Sequence, residues 1–414
     1  MTALLIKGGR VVDPAGSLDA LRDLRVRGGV ITEIGEHLQS VADEGVMDVA
    51  GCIVAPGFVD MHVHLREPGF PEKETLATGT EAALRGGFTS VACMPNTKPA
   101  LDSPGALRDL LARAAQSARC RVYPIAAITR ERLGREPCDF PALAQAGAVA
   151  FSDDGDTVRD ARVLRDAALA ARGVAGVFIS HSEDPAFGED PRRPSLAEDV
   201  IVARDLLIAG ETAKAWHIAH LSTALGLDLI RWARARGTRV TCEVTPHHLS
   251  LTADDAQALG AGARVNPPLR CEADCAALRA GVRDGTIDAL ATDHAPHTPA
   301  EKGGDSSAVA PGYTGLEIAL GAYVQALPDL ALSALVQLLS TNPARILGVP
   351  GGGLRVGEPA DVTIFALREW LVDPSAFASK GRWTPFAGRR LPAKVLATIV
   401  AGAIGYRAAE FGAA

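Results

Sequence analysis

The residues best suited to chemistry are His62, His64, Asp154, His181, His220, Asp293 and His297, each near the end of a short apolar run. The first two close the segment Pro56-Gly57-Phe58-Val59-Asp60-Met61-His62-Val63-His64. Alternate residues of a strand share a face, so this pair can grip one ion together. The others end Phe151-Ser152-Asp153-Asp154-Gly155, Ile179-Ser180-His181, Ile218-Ala219-His220 and Ala291-Thr292-Asp293-His294-Ala295-Pro296-His297. A lone His-x-His is usually a satisfied core or surface pair. Imidazoles and carboxylates at successive strand ends point instead to a metal. A set without thiolate suits Zn²⁺, or another borderline divalent ion, in a catalytic setting. His62, His64, His181 and His220 with Asp154 and Asp293 are too many for one open tetrahedral site, so two ions sharing a carboxylate are expected. Paired ions of this kind typically lie ~3.5–4 Å apart and bring the pKa of water from about 15.7 to about 7. They also polarise a carbonyl oxygen as charge builds on it. Amide hydrolysis, or its reverse, is the chemistry such a site serves. No Gly-x-Ser-x-Gly elbow, phosphate loop or dinucleotide glycine fingerprint competes with that reading.

Strand-like runs carry these residues. They are Gly57 to His64, Ser90 to Met94, Val122 to Ile128, Ala148 to Ser152, Val177 to Ser180, His217 to His220, Val240 to Val244 and Ala289 to Thr292. Amphipathic stretches such as Leu107–Ala114 and Ala224–Ile230 separate them. Strands alternating with helices over this length predict an α/β fold, a (β/α)8 TIM-like barrel across 55–346. Barrel chemistry sits at the carboxyl ends of the strands, where the ligand candidates fall. Both chain ends differ in texture. Residues 1–54 hold short strand patterns with a Gly28-Gly29 hairpin signal, and 347–414 hold Asp361–Phe365 and Ala397–Gly402. Together they predict one small β-sandwich domain.

With 414 residues, 47% hydrophobic and 22% charged, the chain can bury a large core. A net charge of −7 without basic runs argues against nucleic acid. No apolar run reaches eighteen residues, and Met1–Arg10 reads as a first strand rather than a signal peptide, so neither membrane nor secretion is expected. The seven cysteines (52, 93, 120, 138, 242, 271 and 275) form no Cys-x-x-Cys pair, which leaves a cytoplasmic enzyme as the default. Cys271 and Cys275 are read as reduced thiols near a helix start.

Five segments together resemble bacterial dihydroorotases of the longer, type I kind in the amidohydrolase superfamily. They are Asp60-Met61-His62-Val63-His64-Leu65-Arg66-Glu67-Pro68-Gly69, Met94-Pro95-Asn96-Thr97, Glu243-Val244-Thr245-Pro246-His247-His248-Leu249, Asn266-Pro267-Pro268-Leu269-Arg270 and Ala291 to His297. The resemblance runs from about residue 4 to 406. It implies reversible ring closure of N-carbamoyl-L-aspartate to L-dihydroorotate in pyrimidine (UMP) biosynthesis. It assigns His62 and His64 to one zinc ion and His181 and His220 to the other. Asp154 bridges them, with Asp153 its rival. Asp293 binds the first ion and shuttles the proton between metal-activated water and the ring nitrogen. The open substrate is a dianion. Arg66 lies two residues past His64 on the same strand-end face and suits a bidentate hold on a carboxylate; an ion pair with Glu67 or Glu72 is its competing role. The resemblance adds Asn96, Asn266, His297, Pro311 and Gly312 as substrate contacts. Asn266 could instead shape a turn before its two prolines.

Thr298 to Tyr313 reads as a lid or a plain solvated loop. There the family's Pro-Phe-Gly stands as Ala310-Pro311-Gly312, and the segment after His181 is short. His247 and His248 are expected to be structural or to support the ligands.

Two other readings compete. Dihydropyrimidinases, hydantoinases and allantoinases generally bridge their ions with a carboxylated lysine at the fourth strand, and 151–155 contains no lysine. A catalytically silent subunit that scaffolds aspartate carbamoyltransferase should have lost ligands, and here all six remain. A homodimer, and association with that transcarbamoylase, are the expected assemblies.

Overall fold

A computed structural model describes residues 3–187, 194–303 and 309–411. Part of the expected lid (304–308) and of the short segment after His181 (188–193) lies outside the described residues, as do residues 1–2 and 412–414 at the two ends.

Eight parallel strands follow one another in chain order. They are Phe58–Val63, Phe88–Cys93, Arg121–Ala126, Ala150–Ser152, Val177–Ser180, Trp216–Ile218, Val240–Val244 and Ala289–Leu290. The backbone N–H of His64 donates to the His294 carbonyl at 2.8 Å, joining the first strand's end to the eighth's. The expected (β/α)8 barrel is therefore present. Phe88–Cys93 is buried at every position, the signature of a parallel strand covered on both faces. Inside, Val59, Met61, Ile125, Ala150, Ile179 and Ala289 pack with Leu347 of the helix Asn342–Leu347. That helix belongs to the amino ends of the strands, since Asn342 Nδ2 donates to Asp288 O and Ser340 Oγ to Gly57 O. One mouth is thus filled, and the carboxyl ends are left for chemistry.

The outer helices start where polar caps appear in the sequence. Ser103 opens Pro104–Ser117 and Thr223 opens Ala224–Ala235, each side chain accepting a first-turn backbone N–H. These helices contain both amphipathic stretches expected from the sequence.

The chain ends share a second eight-stranded sheet. Its order is Ala403–Arg407, Lys394–Val400, Val362–Ala366, Ile53–Pro56, Ala3–Asp13, Leu18–Arg27 and Val30–Gly35, with Gly45–Asp48 paired to Ala3–Asp13. Its edge strand Val30–Gly35 is met by the segment leading into Val362–Ala366, where Ile31 N donates to Glu358 O at 2.9 Å. Leu4, Ile6, Leu24, Val362, Leu396 and Ile399 form its separate core. Gly28 and Gly29 turn between strands with φ of +58° and +84°, a conformation that favours glycine. The strand Ile53–Pro56 extends the end sheet two residues past position 54. Part of the tail leaves the sheet and packs on the barrel: Phe377 and Phe386 share a cluster with Tyr313 and Ile318. All seven cysteines are free, and Cys271 and Cys275 turn to different partners, Asp274 and the Leu251 carbonyl. Among the described residues no helix is long and apolar enough to cross a membrane.

Candidate metal and substrate site

The strand ends bring His62, His64, Asp154, His181, His220 and Asp293 together, all buried. Asp154 is central. Its Oδ1 lies 3.4 Å from His62 Nε2, 3.5 Å from His181 Nδ1 and 3.6 Å from His220 Nε2, and its Oδ2 lies 3.4 Å from His64 Nε2. Asp293 Oδ1 stands 3.1 Å from His64 Nε2 and 3.5 Å from His62 Nε2. His181 Nδ1 and His220 Nε2 are 2.9 Å apart. Two overlapping groups, His62–Asp154–His220 and His62–His64–Asp293, each place their ligand atoms within 4.8 Å of one another.

Asp153 points elsewhere. Its carboxylate accepts from the backbone N–H of Ile128 and Thr129 and from the Thr129 hydroxyl. The geometry therefore favours the second aspartate of the pair at the centre of the cage.

The donor set fits divalent ions. His62 Nε2 and Asp154 Oδ1 are fully buried and have no hydrogen-bond partner, although they face each other. Leaving both unsatisfied is costly, and a cation between them would satisfy both. Electrostatics agree. Burial disfavours the charged form of His62, yet Asp154, Glu243 and Asp293 hold its pKa well above the ordinary value. Burial likewise pushes Asp154 up, but the surrounding histidines hold it well below the carboxylate range. The cage attracts positive charge.

The backbone is bent to make it. His220 has φ +34° and Asp293 φ +47°, a left-handed conformation that costs roughly 1–3 kcal/mol at a non-glycine residue. Neighbours hold Asp293 there. Thr292 donates to Asp60 through its hydroxyl at 2.6 Å, and His294 accepts from the His64 N–H.

Glu243 is the contributor that sequence reasoning missed. It is buried in the seventh strand and accepts from His62 Nδ1 at 2.7 Å, with its other oxygen 3.2 Å from His217 Nε2. This contact fixes the tautomer that leaves His62 Nε2 free for a ligand bond. A lone carboxylate inside Val240–Val244, a strand of otherwise mostly apolar residues, was the available signal. Asn96 was expected to touch substrate; it lines the cleft, and its Oδ1 accepts from His64 Nδ1 at 2.9 Å. Replacing Glu243 by Gln is expected to cost about 10–100-fold in metal affinity or activity, the usual scale for a ligand's supporting partner. Metal titration of the purified variant measures it, and wild-type affinity would remove Glu243 from the site.

The cage opens on a cleft lined also by Arg66, Asn266, His297, Pro311 and Gly312. A concave site with a few convergent polar groups suits a small molecule. Arg66 turns from Glu67 and Glu72 to the Pro296 carbonyl at 3.2 Å and to His297 Nε2 at 3.1 Å. Burial lowers its pKa to about 10, so it stays cationic at neutral pH. Burial and the nearby Arg66 push His297 down to about 3, leaving it neutral. His248 is structural, bound between Thr245 Oγ1 and the Pro267 carbonyl.

A parallel barrel with an imidazole–carboxylate cage at its carboxyl mouth, joined to a β domain made by both chain ends, has the build of an amidohydrolase. The comparisons narrow this. Residues 51–225 match the family model described as dihydro-orotase-like, and 209–406 match the amidohydrolase family model. A dihydroorotase of Syntrophus aciditrophicus is 44% identical, covering 98% of this chain and 99% of that one. Another, of Pelotomaculum thermopropionicum, is 47% identical over 97% and 98%. Among solved structures, an L-hydantoinase (dihydropyrimidinase) from Arthrobacter aurescens superposes with a TM-score of 0.88 at 26% identity, covering 98% of this chain and 96% of that one. A Brevibacillus agri dihydropyrimidinase gives 0.87 at 21%, over 98% and 95%, which speaks for the fold alone. The chain belongs to the dihydroorotase family.

Proposed function

We propose that this chain interconverts N-carbamoyl-L-aspartate and L-dihydroorotate, the ring-closing step toward UMP. Arg66 carries the reading: a half-buried guanidinium in the cleft facing the cage suits a substrate that keeps a carboxylate beside its cyclic amide. Hydantoin and allantoin offer no such group.

In this reading His62, His64 and Asp293 would hold one zinc ion and His181 and His220 a second, with Asp154 as a ligand available to both. When bound, such ions supply Lewis acidity and lower the pKa of water. The residues do the rest. Arg66, His297 and Asn266 orient the carboxylate and amide groups, with the Pro311-Gly312 backbone as the wall behind them. In hydrolysis Asp293 takes a proton from the attacking water at Oδ2 and gives it to the departing ring nitrogen as the C–N bond breaks. In ring closure it removes the proton from the attacking ureido nitrogen and gives it to the hydroxide that leaves the carboxyl carbon as water, as microscopic reversibility requires.

The cytoplasm is the proposed compartment, supported by seven unpaired cysteines. A homodimer is the proposed assembly. Leu196, Val200 and Leu207 are exposed on the helix Leu196–Thr212, beside exposed Leu225 and Trp232 on Ala224–Ala235, an apolar patch that invites a second copy. Association with aspartate carbamoyltransferase is an alternative use of the same patch. Purified chain should turn over dihydroorotate, carry two zinc ions, and sediment as a dimer. Turnover of hydantoin and allantoin alone would overturn the substrate assignment.

A further inference from the structure

One buried ammonium holds the cleft wall from behind. Lys302 ends the short helix Pro299–Lys302, opened by a Thr298–Glu301 capping box, and is only 7% exposed. Its Nζ donates to the Ala310 carbonyl at 2.9 Å and the Gly312 carbonyl at 2.7 Å. The same nitrogen lies 4.6 Å from the centroid of the Trp383 ring. A lysine is a costly way to fill such a place: burial lowers its pKa to about 7, and an apolar side chain of similar volume is usually no less stable. What the ammonium adds is donors aimed at particular carbonyls.

Those carbonyls belong to the wall. Gly312 has φ +116°, and a Cβ there would meet Ala295 at 2.6 Å, so its backbone is tightly seated. The Pro311 carbonyl lies 2.9 Å from His297 Nε2, the atom that also faces Arg66. Behind Lys302, the Trp383 indole packs on Gly262, where a Cβ would come within 2.5 Å of the ring. The Trp383 carbonyl accepts from Thr314 N at 3.0 Å. Contact thus runs from the C-terminal segment through Lys302 to Pro311-Gly312, and on to His297 and Arg66.

We propose that Lys302 is a positioning residue for substrate binding, fixing the Pro311-Gly312 backbone and through it the His297–Arg66 pair. This rests on the reading that Arg66 and His297 take the substrate's carboxylate. It assigns the tail segment around Trp383 a part in the barrel's binding site.

The test is steady-state kinetics of the full chain with N-carbamoyl-L-aspartate, using Lys302→Met, Lys302→Arg and Arg66→Met, with metal content measured alongside. Losing the two hydrogen bonds that hold the wall should raise KM about tenfold or more in Lys302→Met, with kcat within about threefold of wild type. Lys302→Arg, which keeps donors on a cation, should recover most of that. If Arg66→Met raises KM and Lys302→Met does not, or if kcat falls while KM holds, the inference is overturned. If Arg66→Met leaves KM unchanged, the underlying carboxylate assignment fails instead. Should Lys302→Met not fold, Trp383→Leu removes the ring beneath the ammonium and should raise KM in the same way. An unchanged KM in that variant also overturns the proposal.

Discussion

Asp293→Asn should lower kcat by ~10²–10⁴-fold, the usual contribution of a positioned proton carrier. The substitution keeps the volume, and asparagine tolerates the left-handed φ of +47° better than most residues. It therefore tests proton transfer with little disturbance of the backbone. Asp293 sits among His62 and His64 with Oδ1 engaged on both, and its neighbours Thr292 and His294 are tied to Asp60 and to the first strand. An amide can still present an oxygen to that side, but it cannot take a proton from water or return one to a ring nitrogen. KM should change little, since Arg66 and His297 are left intact. Measured in both directions of the reaction, the loss should be similar, because the same group serves each. A loss under about tenfold, with metal retained, would mean that another group carries the proton.

The sequence made the barrel legible because each strand is a short apolar run that stops at a polar residue. His62, Asp154, His181, His220 and Asp293 all sit at such stops, and their chemistry marked them without any knowledge of the packing. The end sheet was legible as strand texture at both termini, though a pattern alone could not show that Ile53–Pro56 pairs with Val362–Ala366. What stayed hidden were contacts created by closure. Glu243 meets His62 across 181 positions, and Lys302 meets Trp383 across the two parts of the fold. Glu243 lies inside its strand and Lys302 in a short helix, and each does its work through another side chain or backbone. Asn96 shows the same limit: its place at the cleft was legible, but its contact with His64 was not.

Asp154 and Asp153 are neighbours of one residue type, and their variants should behave in opposite ways. Asp154→Asn should lose bound metal and at least ~10³ of activity, because the chemistry depends on the water that metal activates. Both Asp154 oxygens face imidazole nitrogens, so the amide would turn an N–H₂ toward at least one of them and remove the charge that holds the cage together. Asp153→Asn should keep metal and most activity. Its oxygens accept from Ile128, Thr129 and the Thr129 hydroxyl, and an amide there leaves one donor facing donors, at a cost of about 1–3 kcal/mol in stability. The Asp154 variant may be compared fairly only with metal-stripped wild type, since bound metal itself stabilises the folded state. Metal analysis and thermal unfolding on both variants separate the two roles. Metal lost from Asp153→Asn and kept in Asp154→Asn would exchange the assignments and move the centre of the cage to the other carboxylate.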